Sequence, residues 1–192
     1  MVREAKLKDS QAIQNLICFY SEDGKMLFRT LEDIEQCIAD FLVYEKNNEI
    51  IGICSLKFGW DRLVEIRSLG VDPRQLRQGI ATQMILYSVE RALLRDDCDT
   101  IFVLTYAVSL FNKLGFEIVD KMQLPQKVWK DCHACLHKED CDETAMSLSL
   151  LSLNRLRQKK PSVRKQTLLK DTERTLFFRK IQGGWNHSGV KF

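Results

Sequence analysis

An α/β chain of the α+β kind, with helices flanking a mixed sheet, is what the sequence predicts, and three observations predict it. Residues from Leu63 to Val71 alternate in polarity, as a strand with two different faces requires. After Gly79 the apolar positions switch to helical spacing, with Ala81, Ile85, Val89 and Ala92 or Leu93 on one stripe. Thr100 to Leu104 is then a continuous apolar run of the sort a buried strand carries. With 192 residues, 45% hydrophobic and 29% charged, the chain has material for one sizeable core.

In chain order, Val2 to Ala5 reads as a short strand, and Asp9 or Ser10 caps a helix with Ile13, Leu16, Ile17 and Tyr20 on its apolar face. The stretch SEDGKMLFR is a loop. Thr30 and Asp33 have the spacing of a capping box, and Leu31, Ile34, Ile38 and Leu42 supply a second helical stripe. Phe41 to Lys46, the turn Asn47–Asn48 and Glu49 to Phe58 make an antiparallel hairpin. The alternating strand follows, with Leu63, Glu65, Arg67, Leu69 and Val71 expected on one face and Val64, Ile66, Ser68 and Gly70 on the other. Asp72 and Pro73 stop it. Beyond Leu104, Ser109 to Leu114 is a short helix with Gly115 as its C-cap; Phe116 to Val119 and Ala145 to Leu151 are further strands.

Charge divides the chain. Residues 1–150 carry 18 Lys+Arg against 24 Asp+Glu, a balance of −6, whereas residues 151–192 carry 11 against 2, a balance of +9. The expected organisation is a folded domain over 1–153 and a basic tail over 154–192, flexible except for a short helix around Leu168 to Ile181. No run approaches the roughly 20 apolar residues that span a bilayer, and MVREAKLKDS does not read as a signal peptide, so a soluble, cytoplasmic protein without a membrane partner is expected. Seven cysteines are an odd number, and Cys18, Cys37 and Cys54 sit in apolar surroundings that suit reduced thiols.

Between the central strand and the helix after Gly79 lies RQLRQG. A basic, glycine-bearing turn opening a helix gathers free backbone N–H groups and the positive end of the helix dipole, which suits a pyrophosphate; an ordinary α/β connection has the same outline. The stretch resembles the acetyl-coenzyme A loop of the GNAT N-acetyltransferases, Gln/Arg-x-x-Gly-x-Gly/Ala. Gly79 and Ala81 match its last two fixed positions, Leu76 stands where Gln or Arg should be, and Arg77 is one residue away. LFNKLGFEIVD is similar to the aromatic-x-x-x-Gly-Phe unit that follows the fifth GNAT strand. The segments GKMLFRTLEDI, WDRLVEIRSLGVDP, LTYAVSLFNKLGFEIVDK and LPQKVWKDCHACLHKEDCDETAM, in this order over about residues 2–150, resemble the short bacterial N-acetylglutamate synthases of arginine biosynthesis.

That resemblance implies a GNAT acyl-CoA N-acyltransferase fold and acetyl transfer from acetyl-coenzyme A to the α-amino group of L-glutamate by direct attack. It implies Glu65 as general base, with a salt bridge to Arg67 as the purely structural alternative. Leu69, Gly70 and Val71 would supply backbone groups for the acetyl carbonyl and pantetheine arm. Arg77, Gln78, Gly79, Ile80 and Ala81 would hold the pyrophosphate. Phe111 takes the place of a tyrosine that many such enzymes use as general acid, so Phe111 is left as a cofactor contact and Tyr106 or water is the candidate proton donor. Arg29 and Arg67, at basic positions of the resembling family, are the candidates for glutamate's two carboxylates.

Cys132, Cys135 and Cys141 form C-x₂-C-x₅-C, and His137 or His133 could complete a tetrahedral structural zinc site; a metal-free reduced cluster or a disulfide are the alternatives. The tail interleaves Phe177, Phe178 and Trp185 with basic residues. Nucleic acid is therefore retained only as the partner of an alternative, noncatalytic GNAT scaffold. Another amine or a protein terminus as acceptor is the other alternative, and a homo-oligomer is compatible with the sequence.

Overall fold

The computed structural model describes residues 1–124 and 141–159. The elements run β1 (Val2–Glu4), α1 (Ser10–Glu22), α2 (Leu31–Gln36), β2 (Phe41–Lys46), β3 (Glu49–Trp60), β4 (Leu63–Val71), α3 (Ile80–Leu93), β5 (Thr100–Thr105), α4 (Val108–Asn112), β6 (Glu117–Ile118), β7 (Thr144–Ser149) and α5 (Leu150–Lys159). The strands form one sheet in the order β1-β2-β3-β4-β5-β7-β6. Every neighbouring pair is antiparallel except β4 and β5. This is a mixed sheet with flanking helices, as expected, and no helix among the described residues is long and apolar enough to cross a membrane.

Local chemistry sets the joints. Thr30 Oγ1 accepts from Asp33 N at 3.1 Å and Asp33 Oδ2 accepts from Thr30 N at 3.3 Å, the expected capping box at α2. Asn47 and Asn48 both have left-handed backbones, φ 53° and 63°, so β2 and β3 are joined by a tight turn matched to strand twist. Asp61 and Arg62 do the same between β3 and β4, and the Arg62 guanidinium is held by Asp99 at 2.5 and 2.8 Å.

The sheet carries a core on each side. Leu42, Leu56, Val64, Ile66 and Val71 meet Met84, Ile85 and Val89 of α3 on one face. Phe41, Val43 and Ile53 meet Ile13 and Ile17 of α1 and Ile34 of α2 on the other. Helix α3 lies close to the sheet at Gly52, where an added Cβ would stand 2.9 Å from Met84 Sδ. Cys54 is fully buried, and burial pushes its thiol up to about 12, which keeps it protonated and inert.

Four sequence expectations are adjusted. The second helical stripe is shorter than its pattern: α2 ends at Gln36, Ile38 lies in a 3-10 turn, and Leu42 belongs to β2 on the face away from Ile34. The β-ladder of Phe41–Lys46 takes over before a second helical turn can form. The last strand stops at Ser149, because Leu150 N turns to bond Asp99 O at 2.8 Å and α5 begins. Helix α5 carries the chain through Leu153, with Leu150 and Leu153 in the core on α3's side of the sheet. The fourth adjustment, in β4, shapes the candidate site. Residues Leu168 to Ile181, Phe177, Phe178 and Trp185 lie outside the described residues.

Candidate functional site

The alternation of β4 is broken in its middle. Ser55 pairs with Arg67 and Ile53 pairs with Gly70, so Cys54 of β3 faces two residues, Ser68 and Leu69. This is a β-bulge, and Ser68 sits in it at φ 48°. The extra residue exchanges the faces beyond it. Leu69 and Val71 join Val64 and Ile66 against α3, while Gly70 turns to the side of Glu65 and Arg67, where an added Cβ would stand 3.0 Å from the Tyr20 ring. The expected common face for Glu65, Arg67, Leu69 and Val71 therefore holds only for the first two, because a bulge inverts a period-two pattern.

At the same level the sheet opens. The β4–β5 ladder runs from Leu63↔Thr100 to Ile66↔Val103 and stops. Among the described residues no ladder partner follows on the β5 side for Ser68 to Val71. The carbonyl of Val71 is taken by Tyr20 Oη at 2.5 Å. In the parallel direction, Tyr106 follows β5 past the end of the ladder, alongside this opening. Its ring is 46% exposed, but desolvation of its hydroxyl, together with a hydrogen bond to Asp142 and the nearby Glu143, holds the phenol above its ordinary value. Burial also raises the Glu143 carboxyl. Phe111 is 1% exposed and packs edge-to-face on Phe116 at 5.1 Å, so the ring set down as a cofactor contact is a core side chain without a proton to give.

Past the opening, Asp72 Oδ1 accepts from Arg74 N at 2.9 Å and starts the turn that leads to α3. Arg77 and Gly79 both have left-handed φ, 62° and 76°, and Gly79 is the N-cap of α3. A Cβ added at Gly79 would meet nothing within 4 Å, so the space over the helix N-terminus is open. The loop gains a cation from outside its own sequence: Lys46 Nζ reaches Gln75 Oε1 and Gln78 Oε1, each at 3.3 Å. Within the first turn of α3, Gln83 Oε1 is buried without a hydrogen-bond partner.

On the α1 side of the sheet, polar residues replace the core. Glu65 is 7% exposed, and its Oε2 lies 3.7 Å from Arg67 Nε, so the pairing weighed from the sequence exists. Arg67 and Arg29, far apart in the chain, line one small cleft together with Cys37, Asp40, Ser55 and Lys57. No local pattern pointed to the last four, because their convergence depends on the β2–β3–β4 register. Lys57 is the cross-strand neighbour of Glu65, and Ser55 that of Arg67. Cys132, Cys135, His133 and His137 lie outside the described residues. Cys141 is half-buried, with Lys121 Nζ 2.9 Å from its carbonyl oxygen and 3.5 Å from its Sγ.

Comparison with known proteins adds a lineage to this geometry. Residues 10–116 match the family model described as acetyltransferase (GNAT) family. An uncharacterized N-acetyltransferase of Chlorobaculum tepidum is 36% identical over 149 residues, which cover 78% of this chain and 96% of that protein. An amino-acid acetyltransferase of Vibrio atlanticus is 30% identical over 128 residues, covering 66% of this chain and 28% of that one. Among solved structures, N-acetylglutamate synthase from Neisseria gonorrhoeae, complexed with coenzyme A and N-acetyl-glutamate, superposes with a TM-score of 0.70 at 24% identity. That match covers 78% of this chain and 35% of the other. The chain therefore spans about a third or less of the length of the last two proteins.

Proposed function

The chain belongs to the GNAT acetyltransferase family, and from that premise we propose that it transfers the acetyl group of acetyl-coenzyme A to the α-amino group of L-glutamate. The observation that carries the acceptor is the convergence of Arg29 and Arg67 on one cleft beside the buried Glu65. A dicarboxylic amino acid needs fixed positive charge to leave water, and two guanidinium groups provide it in the planar form that suits carboxylates. The relatives named amino-acid acetyltransferase support the same class of acceptor.

The loop fits a pyrophosphate-bearing co-substrate. Left-handed Arg77 and Gly79, open space over Gly79, the free N–H groups of the first turn of α3 and the nearby Lys46 make a cationic, donor-rich cradle. Gln78, Ile80 and Ala81 contribute backbone there, and Gln83 Oε1 is an acceptor still to be matched. The unpaired edge of β4 at Leu69, Gly70 and Val71 offers backbone groups to the pantetheine arm and the thioester carbonyl.

In the reaction, Glu65 takes a proton from the substrate ammonium, and the freed amine attacks the thioester carbon. Negative charge gathers on the carbonyl oxygen, where β4 amides stabilise it. The carbonyl re-forms and the C–S bond breaks as the new C–N bond becomes an amide; the attacking nitrogen sheds its second proton to water, and the departing thiolate takes a proton from Tyr106 or water. Tyr106 carries its proton at neutral pH as any phenol does, and because burial and Asp142 hold it above its ordinary value it is a weaker acid than a free tyrosine, which leaves water as the competing donor. A coenzyme A thiolate, with a pKa of about 8.5, can also leave without one.

Thiol release from acetyl-coenzyme A tests the reading with four acceptors: glutamate, glutamine, a peptide with a free N-terminus and a neutral amine. Glutamate should be used with the highest kcat/KM. Equal efficiency with the neutral amine would overturn glutamate as the acceptor and leave acetyl transfer standing; the peptide as best substrate would move the acceptor to a protein terminus.

A further inference from the structure

Among the described residues three serines are buried, and two have an evident reason to be. Ser10 Oγ donates to Leu7 O at 2.7 Å, and Ser88 Oγ donates to Met84 O at 2.9 Å, each bonding back onto its own helical turn. Ser55 is different. It is 4% exposed, it lies in the middle of β3 where no helical carbonyl is at hand, and its hydroxyl has no hydrogen-bond partner among the described residues. The one side-chain bond that reaches it, from Cys54 Sγ, ends on its carbonyl. Its Oγ is not sealed in, since Gln83 Oε1 is the one side-chain oxygen or nitrogen among the described residues that is buried without a partner; the Ser55 hydroxyl keeps its contact with water, and an alanine would pack there as well.

What surface Ser55 keeps opens into the acceptor cleft. Its place in the register is specific. Ser55 is directly opposite Arg67 across the β3–β4 ladder, so both side chains leave the sheet on the same face at neighbouring Cβ positions. Phe41, the β2 neighbour of Ser55, is fully buried and closes the other side. The hydroxyl can reach a ligand only where Arg67 also reaches it.

We infer that Ser55 is a specificity residue whose hydroxyl donates a hydrogen bond to the acceptor carboxylate held by Arg67. This rests on the proposal that the cleft takes an amino-acid carboxylate. The serine then completes the recognition: the guanidinium supplies charge and two directional donors, and the hydroxyl takes a remaining lone pair of the same oxygen pair. In the free protein the hydroxyl meets water at the cleft, and bound substrate would give it a fixed partner, which accounts for a serine at this position of β3.

The test is a double-mutant cycle read on glutamate KM and kcat. Ser55→Ala should raise KM about tenfold with kcat within about twofold, and its melting temperature should stay at or above that of wild type, since no protein hydrogen bond is lost. Ser55→Thr keeps the hydroxyl and should hold KM within about threefold. In an Arg67→Ala background, Ser55→Ala should add less than twofold, because the carboxylate is no longer held beside it. An unchanged KM in Ser55→Ala, or a tenfold rise that persists in Arg67→Ala, overturns the assignment. Wild-type turnover is read first: no turnover of glutamate overturns the glutamate reading and Ser55's role with it, whereas good turnover that Ser55→Ala leaves untouched overturns only the latter.

Discussion

The two faces of the β3–β4 hairpin are built from the same strands and are buried to a similar depth, yet they consist of different materials. Toward α3, Leu56, Val64 and Ile66 are 2%, 0% and 1% exposed and belong to the apolar core. Toward α1, at the same level, stand Ser55, Lys57, Glu65 and Arg67, with Ser55 and Glu65 at 4% and 7%. The apolar face stabilises the fold. Removing Lys, Glu and Arg from water works against it unless each is paired, and swapping such groups for apolar ones often costs a protein nothing. Conservation of fold alone would therefore have made both faces alike. On the proposed function, the polar face is where stability is given up for chemistry.

That contrast can be broken from either side. The largest effect expected is on the polar face: Glu65→Gln should lower acetyl transfer at neutral pH by about 10²–10⁴-fold while leaving acetyl-coenzyme A affinity nearly intact. Steady-state thiol release alongside a binding isotherm measures both, and wild-type turnover would remove Glu65 as the base. On the apolar face, Ile66→Ala, one residue further along, should cost about 2–5 kcal/mol in denaturant unfolding and leave the acceptor KM of the remaining folded protein unchanged. If Ile66→Ala changed KM as strongly as a polar-face variant does, the two faces would not be functionally separate.

Returning to the polar face, Arg29→Ala or Arg67→Ala should raise glutamate KM by about a hundredfold, about 3 kcal/mol of lost carboxylate pairing. Arg67→Ala should in addition depress kcat, because it removes the cation 3.7 Å from Glu65, whereas Arg29→Ala should not. The smallest effect lies off both faces, at the loop. Gly79→Ala meets no neighbour and suffers only its left-handed φ, a strain of about 1–2 kcal/mol. Its methyl group would project into the proposed cradle, so acetyl-coenzyme A KM should rise about tenfold with glutamate KM unchanged.

Most of the framework was legible from local chemistry. Thr30 and Asp33 fix the start of α2 through atoms three residues apart, and Asn47–Asn48 turns the hairpin by a backbone preference, so both are readable without knowing the fold. Two kinds of information were not local. The bulge at Ser68 was hidden because Leu69 and Val71 fit either face of an alternating pattern, and only the pairing of Ile53 with Gly70 reveals the shift. The cleft was half visible: Arg29, Glu65 and Arg67 could be picked out one by one. Cys37, Asp40, Ser55 and Lys57 could not, since a serine or lysine in β3 carries no sign of its cross-strand neighbour. The stripe from Leu31 to Leu42 misled for the converse reason, because helical spacing continues by accident into a strand whose hydrogen bonds lie with β3.

Ser68 acts on β4 as a single inserted base acts on a reading frame. Every side chain after it is in the opposite phase from the one the first half of the strand would dictate, and Gly70 and Val71 occupy their sides only because that odd residue is bulged out. Deleting Ser68 would remove the bulge and leave Leu69 alone opposite Cys54, so Leu69, Gly70 and Val71 would keep their sides and their pairing with Ile53 and Gly52. Straightening the bulge with Ser68 still in place is what would turn Leu69 and Val71 toward the charged cleft and Gly70 toward α3. The bulge is thus a spare residue in the strand: one deletion here is absorbed by losing it, whereas one insertion has to enlarge it or reverse every side chain beyond.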